Sequence, residues 1–358
     1  MTVTDEPGVL RDEDSFDTAA VHAWLAERAD GLRGLPEVRQ YAGGASNLTY
    51  LLRYPDRDLI LRRPPRGHKA ASAHDMRREV RVQTALRPVF PYVPTVLGLC
   101  DDHTILGSDF YVMERVPGII VRQDLPEGLD LTADQAHDLA HHLIDRLVEL
   151  HQVDPDEAGL TDLGRGRGYV GRQVRGWSSR FTDSWTDNAP DFDDIMAWLH
   201  DNQPDDVATC VIHNDWRLDN VVLDDGADPS GTLRIVGVLD WEMSTLGDPL
   251  MELGGVAAYW TQADDDEVAQ LSRKQPSHLP GMPTRTELVA YYCERAGLSA
   301  ENWPFYLAFG YFRLAVVIQQ LYYRYHHGQT TNPAYRDLWM FVGYLRWRAD
   351  RVIAGEAS

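Results

Sequence analysis

One short segment of the chain combines a histidine, an acid and an amide at a spacing suited to chemistry. His213, Asp215 and Asn220 form the pattern H-x-D-x-x-x-x-N within VIHNDWRLDNVVLDD. An apolar strand, LRIVGVLDWE, follows and delivers a further acid, Asp240, at its end. A polar loop with incidental acids is the alternative, but a second carboxylate at the end of the following strand favours a catalytic site.

This set of groups meets the requirements of phosphoryl transfer. That reaction needs positioned reactants and neutralised phosphate charge, with little covalent chemistry. One carboxylate accepts the proton of an attacking hydroxyl, while separate oxygen ligands hold Mg²⁺, which prefers hard donors. The sequence therefore predicts Asp215 as the catalytic base and Asn220 and Asp240 as magnesium ligands. We expect His213 to order the loop by hydrogen bonding rather than to transfer a proton.

The elements before this segment are rich in β-structure. VRQYAGGASNLTYLLRY predicts a strand, a glycine-rich turn and a second strand. DLILRR predicts a third strand, which Pro64 and Pro65 end. A helix capped by Asp17 or Thr18 is expected ahead of these strands, and another is expected over residues 73–86.

Beyond a turn at Pro117 and Gly118 the pattern becomes helical. Thr132 and Gln135 form a capping box, and leucines recur at helical spacing from residue 139 to residue 150. Three further helices are expected: Asp193–His200, Arg285–Ala296 and Trp303–His326. Because these apolar helices need one another for burial, we expect a single large helical unit.

Charge and composition exclude several classes of function. The 358 residues include 34 Lys and Arg against 55 Asp and Glu, a formal net charge of −21. This charge disfavours nucleic acid and anionic membrane surfaces as partners. The three cysteines, Cys100, Cys210 and Cys293, lack metal-ligand spacing and indicate a reducing compartment. With no signal-like apolar segment and no apolar run long enough to span a bilayer, we expect a cytoplasmic protein.

Several motifs resemble those of the aminoglycoside and choline phosphotransferases, which have a protein-kinase-like fold. HNDWRLDN, LDWE and LGDPLMELG carry this resemblance. YAGGASNLTY, LRRPP, RREVRV, FYVMERVPG and FRLAVVIQQLYYRYHHG are similar to the branch also found fused to acyl-CoA dehydrogenases. The resemblance extends from about Tyr41 to Tyr325.

The resemblance implies an α+β, bilobal, protein-kinase-like fold. We expect a loose acidic tail at residues 1–15 and a small β-sheet lobe at residues 16–116, which binds nucleotide and ends at a hinge. A larger, mainly helical lobe at residues 117–358 would hold the catalytic loop, the metal site and the acceptor pocket.

The same resemblance assigns residues to the nucleotide. Four residues of the glycine-rich turn would cover the ATP phosphates: Gly43, Gly44, Ser46 and Asn47. Arg62 is at the position where kinase-like folds carry a phosphate-binding lysine, and Glu79 is its expected partner. The hinge from Glu114 to Val116 would bind the adenine. Arg63 is expected at the surface.

Other positions keep two interpretations. Arg217 is where protein kinases have a lysine that contacts the transferred phosphate, and it either does so here or forms a salt bridge with Asp219. Glu242 either binds a second metal or faces solvent. Asp248 resembles a residue that holds the catalytic loop, whereas Glu252 is where the family often has Asp.

These assignments imply an ATP-dependent small-molecule kinase that transfers the γ-phosphate to a hydroxyl, with Mg²⁺ as cofactor. ATP and GTP both remain open as donors. The acceptor is either aminoglycoside-like or a hydroxylated metabolite such as a hydroxyacyl thioester, and we favour the metabolite. The acidic run from Asp264 to Glu267 either attracts a cationic acceptor or is a solvated loop.

Two other functions are less well supported. A nucleotide-binding pseudokinase or scaffold without turnover is suggested by Arg62 in place of lysine, but Asp215, Asn220 and Asp240 argue against it. A protein kinase is disfavoured because no long activation segment and no A-P-E follow Asp240. The sequence leaves the oligomeric state open.

Overall fold

The structure, a computed structural model, describes residues 7–41, 47–65, 75–224, 226 and 231–356. Six strands belong to the first third of the chain: β1 (Gly8–Val9), β2 (Glu37–Gln40), β3 (Leu48–Arg53), β4 (Asp58–Arg63), β5 (Val96–Cys100) and β6 (Phe110–Glu114). They form one sheet in the spatial order β1-β2-β3-β4-β6-β5. Every neighbouring pair is antiparallel.

Three helices accompany this sheet: α1 (Thr18–Ala26), α2 (Met76–Leu86) and α3 (His103–Leu106). The Asp17 side chain accepts hydrogen bonds from the first turn of α1, as the sequence predicts, and Asp75 does the same for α2. Val21, Trp24 and Leu25 of α1 are buried in a cluster with side chains of the sheet. α1 thus covers one face of the sheet, while Met76 of α2 packs against side chains on the other face.

Two expectations about this part of the chain are wrong. Arg63 is not a surface residue: it is 1% exposed, and its guanidinium donates to the Tyr50 hydroxyl at 2.7 Å and to the Asp14 carbonyl oxygen at 2.7 Å. Residues 8–15 are not a loose tail, because β1 pairs with β2 and the Asp14 carboxylate accepts from Gln40 at 2.8 Å. The N-terminal segment therefore supplies the cover that buries Arg63.

The rest of the chain is mainly helical, with two small antiparallel ribbons. The helices are α4 (Ala133–His151), α5 (Tyr169–Ser184), α6 (Asp193–Asp201), α7 (Pro249–Tyr259), α8 (Glu267–Ser272), α9 (Arg285–Ala296), α10 (Trp303–His326) and α11 (Leu338–Ile353). The strands are β7 (Cys210–Ile212), β8 (Val221–Leu223), β9 (Ile235–Val238) and β10 (Thr245–Gly247). β7 pairs with β10, and β8 pairs with β9.

The predicted capping box is present at the start of α4, and α9 and α10 have the predicted bounds. One continuous apolar core unites the helices of this part of the chain other than α8. The α+β class is therefore confirmed. No described helix combines the length and apolar character needed to cross a membrane.

The chain passes from sheet to helices along the segment after β6, and this segment is attached to the β8–β9 ribbon. Ile119 and Leu223 exchange two backbone hydrogen bonds of 2.8 Å. The ribbon that ends near Asp240 is thereby held beside the exit of the sheet.

Helices α7 and α10 are in backbone contact. A Cβ atom at Gly310 would lie 2.2 Å from the carbonyl oxygen of Gly254, and a Cβ at Gly254 would lie 2.3 Å from that of Tyr306. Any larger residue at either position would push the helices apart. Glycine here sets how closely the two helices approach.

Candidate active site

The loop between β7 and β8, residues 213–220, carries the predicted motif and is ordered by His213. This imidazole is fully buried, and its Nε2 lies 2.8 Å from the carbonyl oxygen of Leu239. Its Nδ1 lies 3.3 Å from the backbone nitrogen of Asp215. Because Nδ1 accepts from that N–H, Nε2 carries the proton and donates to Leu239. His213 thus acts on the loop by hydrogen bonding, as expected.

The carboxylate of Asp215 is held by two neighbours. The Asn220 amide nitrogen donates to Asp215 Oδ2 at 2.7 Å and to the Asp215 carbonyl oxygen at 2.8 Å. Arg217 Nη2 lies 3.1 Å from the same Oδ2. Because the amide nitrogen of Asn220 donates to Asp215, the amide oxygen of Asn220 is available to bind a cation.

Asp240 follows β9 and is brought next to this loop. The Leu239 N–H donates to the Asn220 carbonyl oxygen at 2.8 Å, which joins the strand end to the end of the loop. Asp240 has a left-handed backbone with φ of 65°, an uncommon conformation for a non-glycine residue. Burial alone would raise the pKa of its carboxyl, but the charges of Arg62 and Arg217 and the hydrogen bond from Arg62 hold that pKa below its usual value. Asp240 is therefore an anion at neutral pH.

Arg62 joins the sheet to this anion. Its Nη1 pairs with Glu79 Oε1 at 2.5 Å, and its Nη2 pairs with Asp240 Oδ1 at 2.8 Å. The Tyr111 hydroxyl also donates to Glu79 Oε1, at 2.7 Å. Burial raises the pKa of Glu79 and acts to lower that of Arg62, but the nearby carboxylates keep the pKa of Arg62 well above its usual value. Arg62 and Glu79 are thus brought together as predicted.

A cavity of about 1070 Å³ lies between the sheet and the β8–β9 ribbon. Six of the predicted residues line it: Asn47, Arg62, Glu114, Val116, Asn220 and Asp240. The Glu114 N–H is already used in the sheet, where it donates to Thr95, whereas the Val116 N–H has no hydrogen-bond partner among the described residues. Gly43, Gly44 and Ser46 lie outside the described residues.

A second cavity, of about 1180 Å³, adjoins the first on the side of the 213–220 loop. Asp215 and Arg217 line only this cavity. Four residues line both cavities: Arg122, Asp219, Asn220 and Asp240. A molecule in each cavity would therefore meet the other next to Asp215 and Asp240.

The residue that holds the 213–220 loop is Glu252, not Asp248. Glu252 is 2% exposed and accepts hydrogen bonds from the N–H groups of His213, at 3.0 Å, and Asn214. His151 Nε2 lies 2.8 Å from its Oε2. Burial would raise the pKa of Glu252, but these bonds and the nearby imidazoles lower it. Asp248 instead caps α7 and accepts from the Val207 N–H at 2.7 Å.

Arg217 and Glu242, for which the sequence left two interpretations, have defined partners in the structure. Arg217 lies 3.3 Å from Asp219 as well as beside Asp215, and it stacks over the ring of Tyr259. Glu242 accepts from the Asn47 side-chain amide at 2.8 Å, which links β3 to the turn after Asp240.

The acidic run after residue 263 is not part of the second cavity. Asp265 makes two bonds of 2.7 Å to Arg285, and Asp266 caps α8. These two carboxylates stabilise neighbouring helices, and no residue from 264 to 267 lines either cavity.

A divalent cation would find two oxygen ligands here, in Asn220 and Asp240. Among the described residues there is no group of three or more His, Cys, Asp and Glu side chains that could hold a metal ion. Mg²⁺ commonly uses one or two protein ligands together with nucleotide phosphates and water. The donor set therefore fits Mg²⁺ that arrives with a nucleotide, rather than a metal bound by protein alone.

Comparison with known sequences gives a consistent result. The profile of the phosphotransferase enzyme family matches residues 37–288. Acyl-CoA dehydrogenase family member 11 from Rattus norvegicus is 34% identical over 344 residues, 93% of this chain and 42% of that protein. Family member 10 from Mus musculus is 35% identical over 300 residues, 84% of this chain and 27% of that protein. The chain thus spans less than half the length of these relatives.

Comparison with solved structures shows a protein-kinase-like fold. A putative aminoglycoside phosphotransferase from Ralstonia eutropha has a TM-score of 0.80 at 28% identity, over 95% of this chain and 99% of that one. Aminoglycoside phosphotransferase APH(4)-Ia, in a ternary complex with AMP-PNP and hygromycin B, has a TM-score of 0.56 at 15% identity, over 95% and 99% of the two chains. At this lower identity the likeness concerns the fold alone.

Proposed function

Because the chain belongs to the phosphotransferase enzyme family, we propose that it is an ATP-dependent kinase of a small hydroxylated molecule, with Asp215 as the catalytic base. One observation carries the proposal: Asp215, Asn220 and Asp240 converge where two cavities meet. In this proposal residues 16–116 form the nucleotide-binding lobe and residues 117–358 the lobe that binds the acceptor.

The nucleotide occupies the cavity under the sheet. The Val116 N–H is available to the edge of the base, while Arg62 presents a permanently charged guanidinium to the phosphates. ATP and GTP both remain candidates as donors. Mg²⁺ bound with the nucleotide would be held by Asn220 and Asp240 and would neutralise phosphate charge.

The acceptor occupies the second cavity, with its hydroxyl next to Asp215. The Asp215 carboxylate takes the hydroxyl proton as the acceptor oxygen bonds to the γ-phosphorus, and the bond from that phosphorus to the β,γ-bridging oxygen breaks to release ADP. Asn220 and Arg217 keep the carboxylate in place, and Arg217 adds positive charge beside the transferred group.

The alternative of a scaffold without turnover has no support among the described residues. The scaffold alternative was suggested by the presence of Arg62 in place of lysine. Arg62 nevertheless makes the ion pair with Glu79 that the corresponding lysine makes in active kinase-like folds.

Calorimetric titration with ATP and GTP, with and without Mg²⁺, tests the proposal. We expect metal-dependent binding that is weakened at least about tenfold in Asp240→Ala, since half of the protein's metal ligands are then lost. Asp215→Asn should bind nucleotide as the wild type does but lose turnover in an ADP-release assay with a panel of hydroxylated acceptors. Asp205→Asn, an exposed acid outside both cavities, is the control. Absence of nucleotide binding would refute the kinase function, and retained turnover in Asp215→Asn would refute the base.

A further inference from the structure

Helices α7 and α10 supply part of the lining of the second cavity, and this part includes an apolar patch beside a cation. Val256 of α7 and Leu314 and Val317 of α10 present hydrocarbon side chains, and Arg313 of α10 lies among them. Such a patch suits a ligand with a hydrocarbon segment, since burial of apolar area favours binding.

Each acidic residue that lines this cavity already forms an ion pair or accepts a hydrogen bond from another residue. Asp215 and Asp219 pair with Arg217, and Asp240 pairs with Arg62. Glu252 is fully used by backbone N–H groups and His151, and Glu242 accepts from Asn47. The amino groups of a polycationic acceptor would therefore have to compete with these partners for every described carboxylate of the cavity.

Arg313, by contrast, has no ion pair with any described carboxylate. Its Nη2 donates to the Asn214 carbonyl oxygen at 3.0 Å, and its Nη1 lies 3.5 Å from the Asn214 side-chain oxygen. The guanidinium stacks over the ring of Trp177 at 5.4 Å. These contacts fix its position but leave its charge uncompensated, and a guanidinium has five N–H donors, of which they use two.

We propose that Arg313 selects an acceptor carrying an oxyanion, a carboxylate or phosphate, joined to the reacting hydroxyl by an apolar segment. This inference rests on the proposed kinase function, because it assigns the second cavity to the acceptor. Arg313 binds the oxyanion through its unused N–H donors, and the hydrocarbon segment packs on Leu314 and Val317. An aminoglycoside would bring its ammonium groups to the same guanidinium and is disfavoured by like-charge repulsion.

The test is equilibrium binding of matched compounds to the whole chain, with and without Mg²⁺ and AMP-PNP. The probes are an ω-hydroxyalkanoate of eight carbons, the ω-hydroxyalkyl phosphate, the diol and the amino alcohol of the same length, and hygromycin B. We expect one or both oxyanions to bind at least tenfold more tightly than the diol, and the two cationic compounds to bind more weakly than the diol. The stronger of the two anions then identifies the group.

Substitutions separate charge from structure. Arg313→Gln keeps an N–H donor for Asn214 but removes the charge, and it should abolish the preference for anion over diol. Arg313→Lys should restore part of that preference. Arg324→Ala, on the exposed side of the same helix, is the control and should bind all compounds as the wild type does.

The inference would be overturned by equal binding of diol and anions, by tighter binding of a cationic compound, or by an anion preference that survives in Arg313→Gln. Failure to bind any anion at millimolar concentration would overturn it too. Each of these results leaves the nucleotide titration unaffected. Loss of AMP-PNP binding in the wild type would instead count against the kinase function itself.

Discussion

Replacing Glu252 with glutamine should both lower the free energy of unfolding and slow turnover. In the structure one buried carboxylate receives two backbone N–H groups of the 213–220 loop and the Nε2–H of His151. Glutamine has one accepting oxygen and places an NH₂ group against at least one of these donors. A buried donor without a partner costs about 1–3 kcal/mol, and loss of a buried charge partner adds to this. We expect the free energy of unfolding to fall by about 2–4 kcal/mol.

The pH dependence distinguishes this mechanism from simple loss of packing. The folded state lowers the pKa of Glu252, so its contribution to stability is full above the ordinary glutamate pKa of about 4.3. That contribution is lost as the pH falls through the lower pKa of the folded state. Glutamine does not titrate, so the difference between wild type and variant should be largest near pH 7 and should narrow below about pH 4.3.

Urea unfolding followed by tryptophan fluorescence between pH 7.5 and about pH 3 measures this difference, since the narrowing lies below the ordinary glutamate pKa of about 4.3. Glu301→Gln, an exposed position, is the control and should change stability by less than about 0.5 kcal/mol. Turnover should fall about 10- to 100-fold because Asp215 is displaced with the loop. A stability loss under about 0.5 kcal/mol, or one that stays constant across this pH range, would refute the reasoning.

Two further predictions concern neighbouring arginines and one helix contact. Arg62→Lys loses the planar guanidinium that pairs with two carboxylates, and it should raise the KM for ATP about tenfold. Arg63→Lys loses the hydrogen bonds from Arg63 to Tyr50, and it should lower the free energy of unfolding by about 1–3 kcal/mol while the KM stays unchanged. Steady-state kinetics and urea unfolding separate the two, and the same phenotype in both variants would contradict the assignment of opposite sheet faces. Gly310→Ala places a methyl group 2.2 Å from the Gly254 carbonyl oxygen and should cost about 1–3 kcal/mol, measured by the thermal midpoint. An unchanged midpoint would show that the two helices can separate freely.

Local signals explain which elements could be predicted from sequence. The capping box at Thr132 and Gln135 lies within four residues, so it fixes the start of α4 without help from the rest of the fold. The resemblance identified Arg62, and neighbouring residues of a strand point to opposite faces, which separates Arg63 from it. Neither signal shows that the N-terminal segment covers Arg63, so the expectation of a surface position was wrong.

The missed parts of the site depend on contacts between distant residues. Glu252 lies 39 residues from His213 in sequence, and Asp248 one helical turn earlier is an equally acidic candidate, so no local signal distinguishes them. Arg313 lies 99 residues from Asn214, within an apolar helix pattern that predicts only burial. The motif therefore predicts the chemistry of the 213–220 loop, while the residues that hold this loop and the lining of the second cavity could be identified only from the fold.

The backbone contact between α7 and α10 affects how the proposed kinase can diversify. α7 carries Glu252, which holds the 213–220 loop, and α10 carries the side chains at 313, 314 and 317 that line the second cavity. Because Gly254 and Gly310 allow the two helices to pack closely, substitution of the side chains at 313, 314 and 317 leaves the position of the 213–220 loop unchanged. Acceptor choice can then change by single substitutions during evolution while the phosphoryl-transfer apparatus is inherited intact.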